Sequence, residues 1–307
     1  MKAIIFSGQG SQKTGIGQEF YQNFKICREV FDEASQVLGY DMAALCFEKE
    51  SADKLELTEY AQPAILTASI ATYKLLYSQG VRPSLAMGLS LGEYTALCAS
   101  DSVSFTTAVS LVAKRGRIMT EYAAKGGMFA CIGIDIVQLK EVISQAQSYG
   151  FAALANHNTP NQIVIACDKG ALDFCKARIK ELKGKVIPLK VAGPFHTKLY
   201  DTAAMHFENE LKATTFKTLS YPVISNLTAD FFDVKNAASA LKQHMVSPVL
   251  WVDSVKKAIN FGVDTFIEIG GDVLIKFVKD IDKAVKVMTV NNIESLEKAK
   301  TEGYFGG

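Results

Sequence analysis

The chain has 307 residues, 49% of them hydrophobic and 21% charged, with a formal net charge of +1. That length allows one large domain, or a large domain carrying a smaller one, with room for a core that needs no staples. A near-neutral chain has no global field drawing it to nucleic acid or to a membrane surface, so attraction to an acidic partner has to come from a local patch.

Ala3-Ile4-Ile5-Phe6 is a short apolar run that stops at Ser7-Gly8, which predicts a buried strand. It is far too short for a signal peptide. No apolar stretch reaches the roughly 20 residues of a spanning helix, so the cytoplasm is the expected compartment. Helical periodicity follows over 20–38 and again over 64–77. Leu85-Ala86-Met87 predicts a second strand; it runs into Gly88, and a new helical pattern opens at Leu91. Strand, turn and helix in alternation mark an α/β domain with a largely parallel sheet.

The middle of the chain changes character. Strands are expected at 128–134, 151–155, 162–166 and 186–191, with helices at 137–146 and 171–182 and a loop at Asn158-Thr159-Pro160-Asn161. The order βαββαβ is that of a ferredoxin-like unit. Gly126-Gly127 and Gly193-Pro194 bracket it as hinges or boundaries. The expected division is a large α/β domain over 1–125 and 197–307, with a small one inserted over 126–196. The large pattern resumes with a helix over 198–211, a strand over 221–225, and a strand–glycine–helix unit from Thr265 through Gly270-Gly271 to Val278. The end, Phe305-Gly306-Gly307, reads as a frayed tail. Cys27, Cys46, Cys98, Cys131, Cys167 and Cys175 stand singly, without a C-x-x-C pair. They predict small buried hydrophobes rather than a zinc or redox site, and no metal is expected.

Gly88-Leu89-Ser90-Leu91-Gly92 fits G-x-S-x-G in the context that motif needs, after an apolar strand and before a helix. The glycines allow the sharp turn that lifts a serine hydroxyl above the sheet edge. The helix beyond aims free N–H groups and partial positive charge at that point, so the N–H of Leu91 can meet an oxyanion beside Ser90. A turn or capping serine would use the same residues; the context favours a nucleophile. Such a serine needs a base, and the chain has four histidines. His206 flanks the apolar row Leu199, Ala203, Phe207 and Leu211 and is expected at the surface. His157 and His244 lie in no turn that aims them at a strand edge, although His157 could fill the loop at 156–161. His196 follows the strand at 186–191 and the turn Gly193-Pro194-Phe195. Strand exits are where α/β sheets hold functional groups, so His196 is the candidate base.

Arg115 stands in the apolar stripe of a helix, with Ala108, Leu111, Val112, Ile118 and Met119, while Ser110, Lys114, Arg117 and Glu121 make the polar side. An inward guanidinium must be paired. Its partner is either a structural carboxylate of the chain or the carboxylate of a substrate, held in bidentate fashion. Gly8-Gln9-Gly10-Ser11-Gln12 suggests a phosphate loop, but Lys13 stands where the dinucleotide pattern needs glycine, and no Gly-Lys-Ser/Thr follows. What remains is a tight loop able to bring Gln9 or backbone donors against a ligand.

Taken together, these residues resemble the malonyl-CoA:acyl-carrier-protein transacylases of type II fatty acid synthesis, over nearly the whole chain. The landmarks are Phe6-Ser7-Gly8-Gln9-Gly10-Ser11-Gln12, Gly88-Leu89-Ser90-Leu91-Gly92-Glu93-Tyr94, Val112-Ala113-Lys114-Arg115-Gly116, Asn156-His157-Asn158-Thr159-Pro160, Gly193-Pro194-Phe195-His196 and Pro248-Val249-Leu250-Trp251. The resemblance implies an α/β-hydrolase-like fold with an inserted ferredoxin-like subdomain. It implies Ser90 as nucleophile, His196 as base, Arg115 on the malonyl carboxylate and the N–H groups of Gln9 and Leu91 as the oxyanion hole. The histidine would be oriented by a main-chain carbonyl near the Pro-x-x-Trp segment. The chain departs from the family pattern at Ser7 (usually proline), Leu89 (often histidine), Leu250 (often glutamine) and Gly270-Gly271-Asp272 (one residue short).

The implied activity is malonyl transfer from malonyl-CoA to an acyl carrier protein without a cofactor, with coenzyme A thioester as substrate and a monomer as the working form. A serine esterase or thioesterase with the same dyad, and a non-catalytic acyl-CoA or nucleotide-binding module, are the rivals. Lys183, Lys185, Lys190 and Lys198 form a local patch that could steer an acidic carrier, or simply a solvated lysine surface.

Overall fold

The structure, a computed structural model, describes residues 1–305. In chain order its strands are β1 (Lys2–Phe6), β2 (Leu85–Gly88), β3 (Gly126–Ile132), β4 (Ala152–Thr159), β5 (Gln162–Asp168), β6 (Lys185–Pro188), β7 (Thr265–Ile269) and β8 (Lys286–Val290). Four of them make a parallel sheet in the order β2-β1-β7-β8, with Ile4 beside Ala86 and Ile267. β1, β2 and β7 are buried on both faces, as their unbroken apolar runs require. Helix Thr58–Ser78 is apolar on nearly every side and packs between helices Lys25–Leu38 and Phe105–Glu121 in the main core.

The other four strands form an antiparallel sheet in the order β4-β5-β3-β6, the ferredoxin-like arrangement. Its side chains alternate as a pleated strand demands. Phe129, Cys131, Ile163, Ile165 and Cys167 face helices Ile136–Ala146 and Lys169–Glu181, while Met128, Ala130, Val164 and Ala166 join the main core. All six cysteines are buried free thiols. β4 is tied to the large sheet's side of the molecule at Val249, whose N–H donates to Ala155 and whose carbonyl accepts from His157.

Several expected elements are redrawn. The helix over 20–38 breaks at Phe24, which is extended, because the Asn23 amide takes the Glu19 carbonyl and ends the first turn. The strand over 221–225 is reduced to single bridges, Val223 to Ala86 and Ile224 to Phe231: Pro222 has no N–H to continue a ladder. β4 runs on through Thr159, so Asn156, His157 and Asn158 are strand residues and the loop shrinks to Pro160-Asn161. β6 ends at Pro188 rather than at 191. Gly126 and Gly127 are the first residues of β3, paired with Asp168 and Cys167. Phe305 packs partly buried against the main core, and the rest of the expected tail, Gly306-Gly307, lies outside the described residues.

Candidate active site

Ser90 sits between β2 and helix Leu91–Ala99 with φ 53° and ψ −101°, a conformation that L residues seldom adopt. Strain of this kind costs roughly 1–3 kcal/mol and persists only where neighbours hold it. Here the holder is Asn226, fully buried: its side-chain oxygen accepts from Ser90 N–H at 2.7 Å, and its amide donates to the Gly88 carbonyl at 2.7 Å. The two glycines of the motif are needed for close approach. A Cβ on Gly88 would fall on the Gly92 backbone, and one on Gly92 would fall on the Phe6 carbonyl.

The Ser90 hydroxyl lies 2.8 Å from His196 Nε2. His196 is itself at φ 59°, and its Nδ1 is 3.0 Å from the His244 carbonyl oxygen. A carbonyl only accepts, so Nδ1 carries the proton and Nε2 offers its lone pair to the serine. The orienting carbonyl therefore precedes the Pro248–Trp251 segment. The Leu250 carbonyl is occupied by Ser254, and leucine at 250 leaves the imidazole's bond untouched. Burial first, then the neighbouring His244 and Arg115, hold the His196 pKa well below the usual 6.5, which keeps the imidazole a free base.

Arg115 is 1% exposed. Its helix can approach helix Thr58–Ser78 because residue 116 is glycine; a Cβ there would press on the Thr58 carbonyl. One guanidinium nitrogen donates to Gln62 Oε1 at 2.8 Å, another reaches Ser90 Oγ at 3.4 Å, and the group lies 5.3 Å from the Tyr94 ring centroid. Among the described residues no carboxylate pairs with it, and its Nε has no partner. Burial accordingly lowers its pKa. The internal salt bridge left open by the sequence is absent, and the guanidinium instead lines a cavity of about 360 Å³ together with Ser90, His196 and Gln9. The N–H groups of Gln9 and Leu91 have no acceptor among the described residues. The Gln9 side chain is turned to Thr58 at 3.0 Å, and the Leu91 side chain is buried in the core.

The other histidines separate cleanly. His206 is exposed and stacks on Tyr122. His157 is half-buried on β4. His244 differs from expectation: it is 1% exposed, with its ring centroid 5.0 Å from that of His196. Asn226, Gln62 and His244 are the residues that the sequence reading missed. The first two carry a faint signal, as amides set against apolar runs (Val223-Ile224 and Ala64-Ile65-Leu66).

A strained serine on a strand–turn–helix elbow, a neutral imidazole against its hydroxyl and a buried cation without a carboxylate partner are the groups that serine-nucleophile acyl transfer calls for. The chain belongs to the acyl transferase domain family, which matches residues 3–297. It is 40% identical to the malonyl CoA-acyl carrier protein transacylase of Bacillus subtilis (strain 168) over 303 residues, 97% of this chain and 95% of that protein. The crystal structure of the transacylase of that name from Clostridium perfringens superposes with a TM-score of 0.95 at 40% identity, covering 98% of this chain and 96% of that one. A malonyl-transacylase in complex with its type II PKS acyl-carrier protein superposes with a TM-score of 0.94 at 32% identity, covering 98% and 99%.

Proposed function

We propose that this chain moves a malonyl group from malonyl-CoA onto Ser90 and then onto the phosphopantetheine thiol of an acyl carrier protein. The observation that carries this reading is Arg115, a buried guanidinium with no carboxylate of its own, 3.4 Å from the nucleophile. A substrate bearing a free carboxylate supplies the missing partner, and a fork-shaped cation holds it in two places.

His196 Nε2 takes the Ser90 proton as Oγ bonds to the thioester carbonyl carbon. The N–H groups of Gln9 and Leu91 receive the oxyanion. Collapse breaks the C–S bond, and the departing coenzyme A sulfur recovers the proton from His196. The carrier thiol then attacks the malonyl–serine ester by the same steps in reverse, so both thiols share one site. No cofactor is needed. The chain works as a monomer in the cytoplasm without nucleic acid or membrane, its small domain spanning 126–196 between the large-domain segments 1–125 and 197–307. Lys183, Lys185, Lys190 and Lys198 are all exposed and offer an acidic carrier a basic surface.

Intact mass spectrometry after mixing with malonyl-CoA or acetyl-CoA tests the reading, with Ser90→Ala as control. A malonyl adduct absent from Ser90→Ala, transferred to holo carrier protein faster than it is released as malonate, is the expected result. Malonate as the sole product would make the chain a hydrolase, and no adduct would make it a binding module.

A further inference from the structure

Glu93 is a carboxylate almost wholly withdrawn from solvent, 1% exposed, one turn into the helix that Ser90 opens. Negative charge is welcome at a helix N-terminus, but this side chain also reaches two specific partners. Its Oε1 accepts the Asn226 backbone N–H at 3.2 Å. Its Oε2 lies 2.9 Å from His244 Nδ1, a close electrostatic contact set off the line of a straight hydrogen bond. Among the described residues no Lys or Arg lies within ion-pair distance of it, and Arg115 acts on it only from farther off. Burying a carboxylate without such a cation is costly, so its position calls for a reason.

The two partners of Glu93 are the two residues that hold the reacting pair. Asn226 fixes the strained Ser90 through its N–H and the Gly88 carbonyl. His244 fixes His196 through the carbonyl that accepts from Nδ1. The contacts close a ring: Ser90 Oγ to His196, His196 to the His244 carbonyl, His244 Nδ1 to Glu93, Glu93 to the Asn226 N–H, and Asn226 back to the Ser90 N–H. We infer that Glu93 is a positioning residue of the acyl-transfer reaction, setting the serine through Asn226 and the imidazole through His244. A carboxylate thus serves this dyad one residue removed from the imidazole. This rests on the assignment of Ser90 and His196 as nucleophile and base.

The test is steady-state malonyl transfer by Glu93→Gln and by His244→Ala, which keeps the orienting carbonyl and removes only the side chain. A misset dyad costs turnover rather than binding, so kcat should fall roughly 10- to 100-fold in each, with KM for malonyl-CoA within about twofold of wild type. Residues acting through one contact are not additive, so the double variant should be no slower than the slower single one. ¹⁵N spectra of the His196 ring supply a readout that a merely structural role would leave alone: wild type should show the Nδ1-protonated neutral tautomer, and both variants a mixture. Should Glu93→Gln fail to fold, His244→Ala carries the same comparison. Wild-type kcat in either folded variant, multiplying losses in the double variant, or an unchanged tautomer would overturn the inference. A malonyl adduct surviving in Ser90→Ala would instead overturn the parent assignment, so the two failures are distinguishable.

Discussion

Two regions of the cavity are built in different ways. The groups read as reactive are each held at some energetic cost: Ser90 after β2 at positive φ, Arg115 buried on its helix, and His196, also at positive φ, in the loop that follows β6. The antiparallel sheet supplies wall, from Met128, Ala130 and Val164 on its inner face and from Asn158 and Gln162. None of these strains the backbone at positive φ. Reactivity is concentrated where the backbone is forced, and shape comes from ordinary alternating strands. Substitutions on the first side should therefore reduce turnover, and those on the second should weaken binding. Ser90→Ala is the extreme case: transfer should fall by at least about 10⁴-fold, followed by formation of malonyl carrier protein. A residual rate within about tenfold of wild type would move the nucleophile elsewhere.

Arg115 sharpens the contrast, since it lines the same cavity as the wall residues yet carries a charge. Breaking a buried ion pair costs ~3–5 kcal/mol, so Arg115→Ala should lower malonyl transfer roughly 10²- to 10³-fold while acetyl transfer changes far less. Parallel assays with the two thioesters decide it; an unchanged preference for malonyl would show that the guanidinium does not read the carboxylate.

The imidazole adds a pH signature to the reactive side. Because the folded-state pKa of His196 lies well below 6.5, the neutral base persists through neutral pH. The rate of Ser90 acylation should be flat there and fall about tenfold per pH unit only on the acid side of that depressed value. The sign for stability is the same: the unfolded chain binds this proton more readily, so the stability present above 6.5 is lost as pH falls through the folded-state pKa. Arg115→Ala removes a neighbouring positive charge and should shift the acid limb upward. An acid limb at or above 6.5 in wild type, measured by rapid-quench acylation, would mean that the imidazole is solvated.

Both sides of the molecule left marks in the sequence, of different kinds. Glycines flanking Ser90, an arginine in an apolar stripe and a histidine after Gly-Pro-Phe are local departures from pattern, each with a physical reason visible in a few residues. The alternating strands and two helices of the antiparallel unit were equally plain from period alone. His244, Asn226 and Gln62 were not, because their roles depend on contacts across the fold: 48 residues separate His244 from His196, and 136 separate Asn226 from Ser90. The strand expected over 221–225 failed for a local reason, Pro222, whose missing N–H outweighed the β-branched run around it.

The smallest effect belongs to the wall. Asn158, 6% exposed on β4, gives its amide to Gln162 at 3.0 Å, while its side-chain oxygen is buried without a partner. Asn158 lines the cavity, and an unused acceptor there would suit an amide N–H of the pantetheine arm that coenzyme A and a carrier protein have in common. Losing one such neutral hydrogen bond costs about 1 kcal/mol, so Asn158→Ala should raise KM roughly fivefold for both thiol carriers and leave kcat in place. A matched rise for malonyl-CoA and malonyl carrier protein would assign Asn158 to the arm they share. A fall in kcat with KM unchanged would instead put this strand among the groups that set the dyad, and the division of labour between reactive groups and wall would fail.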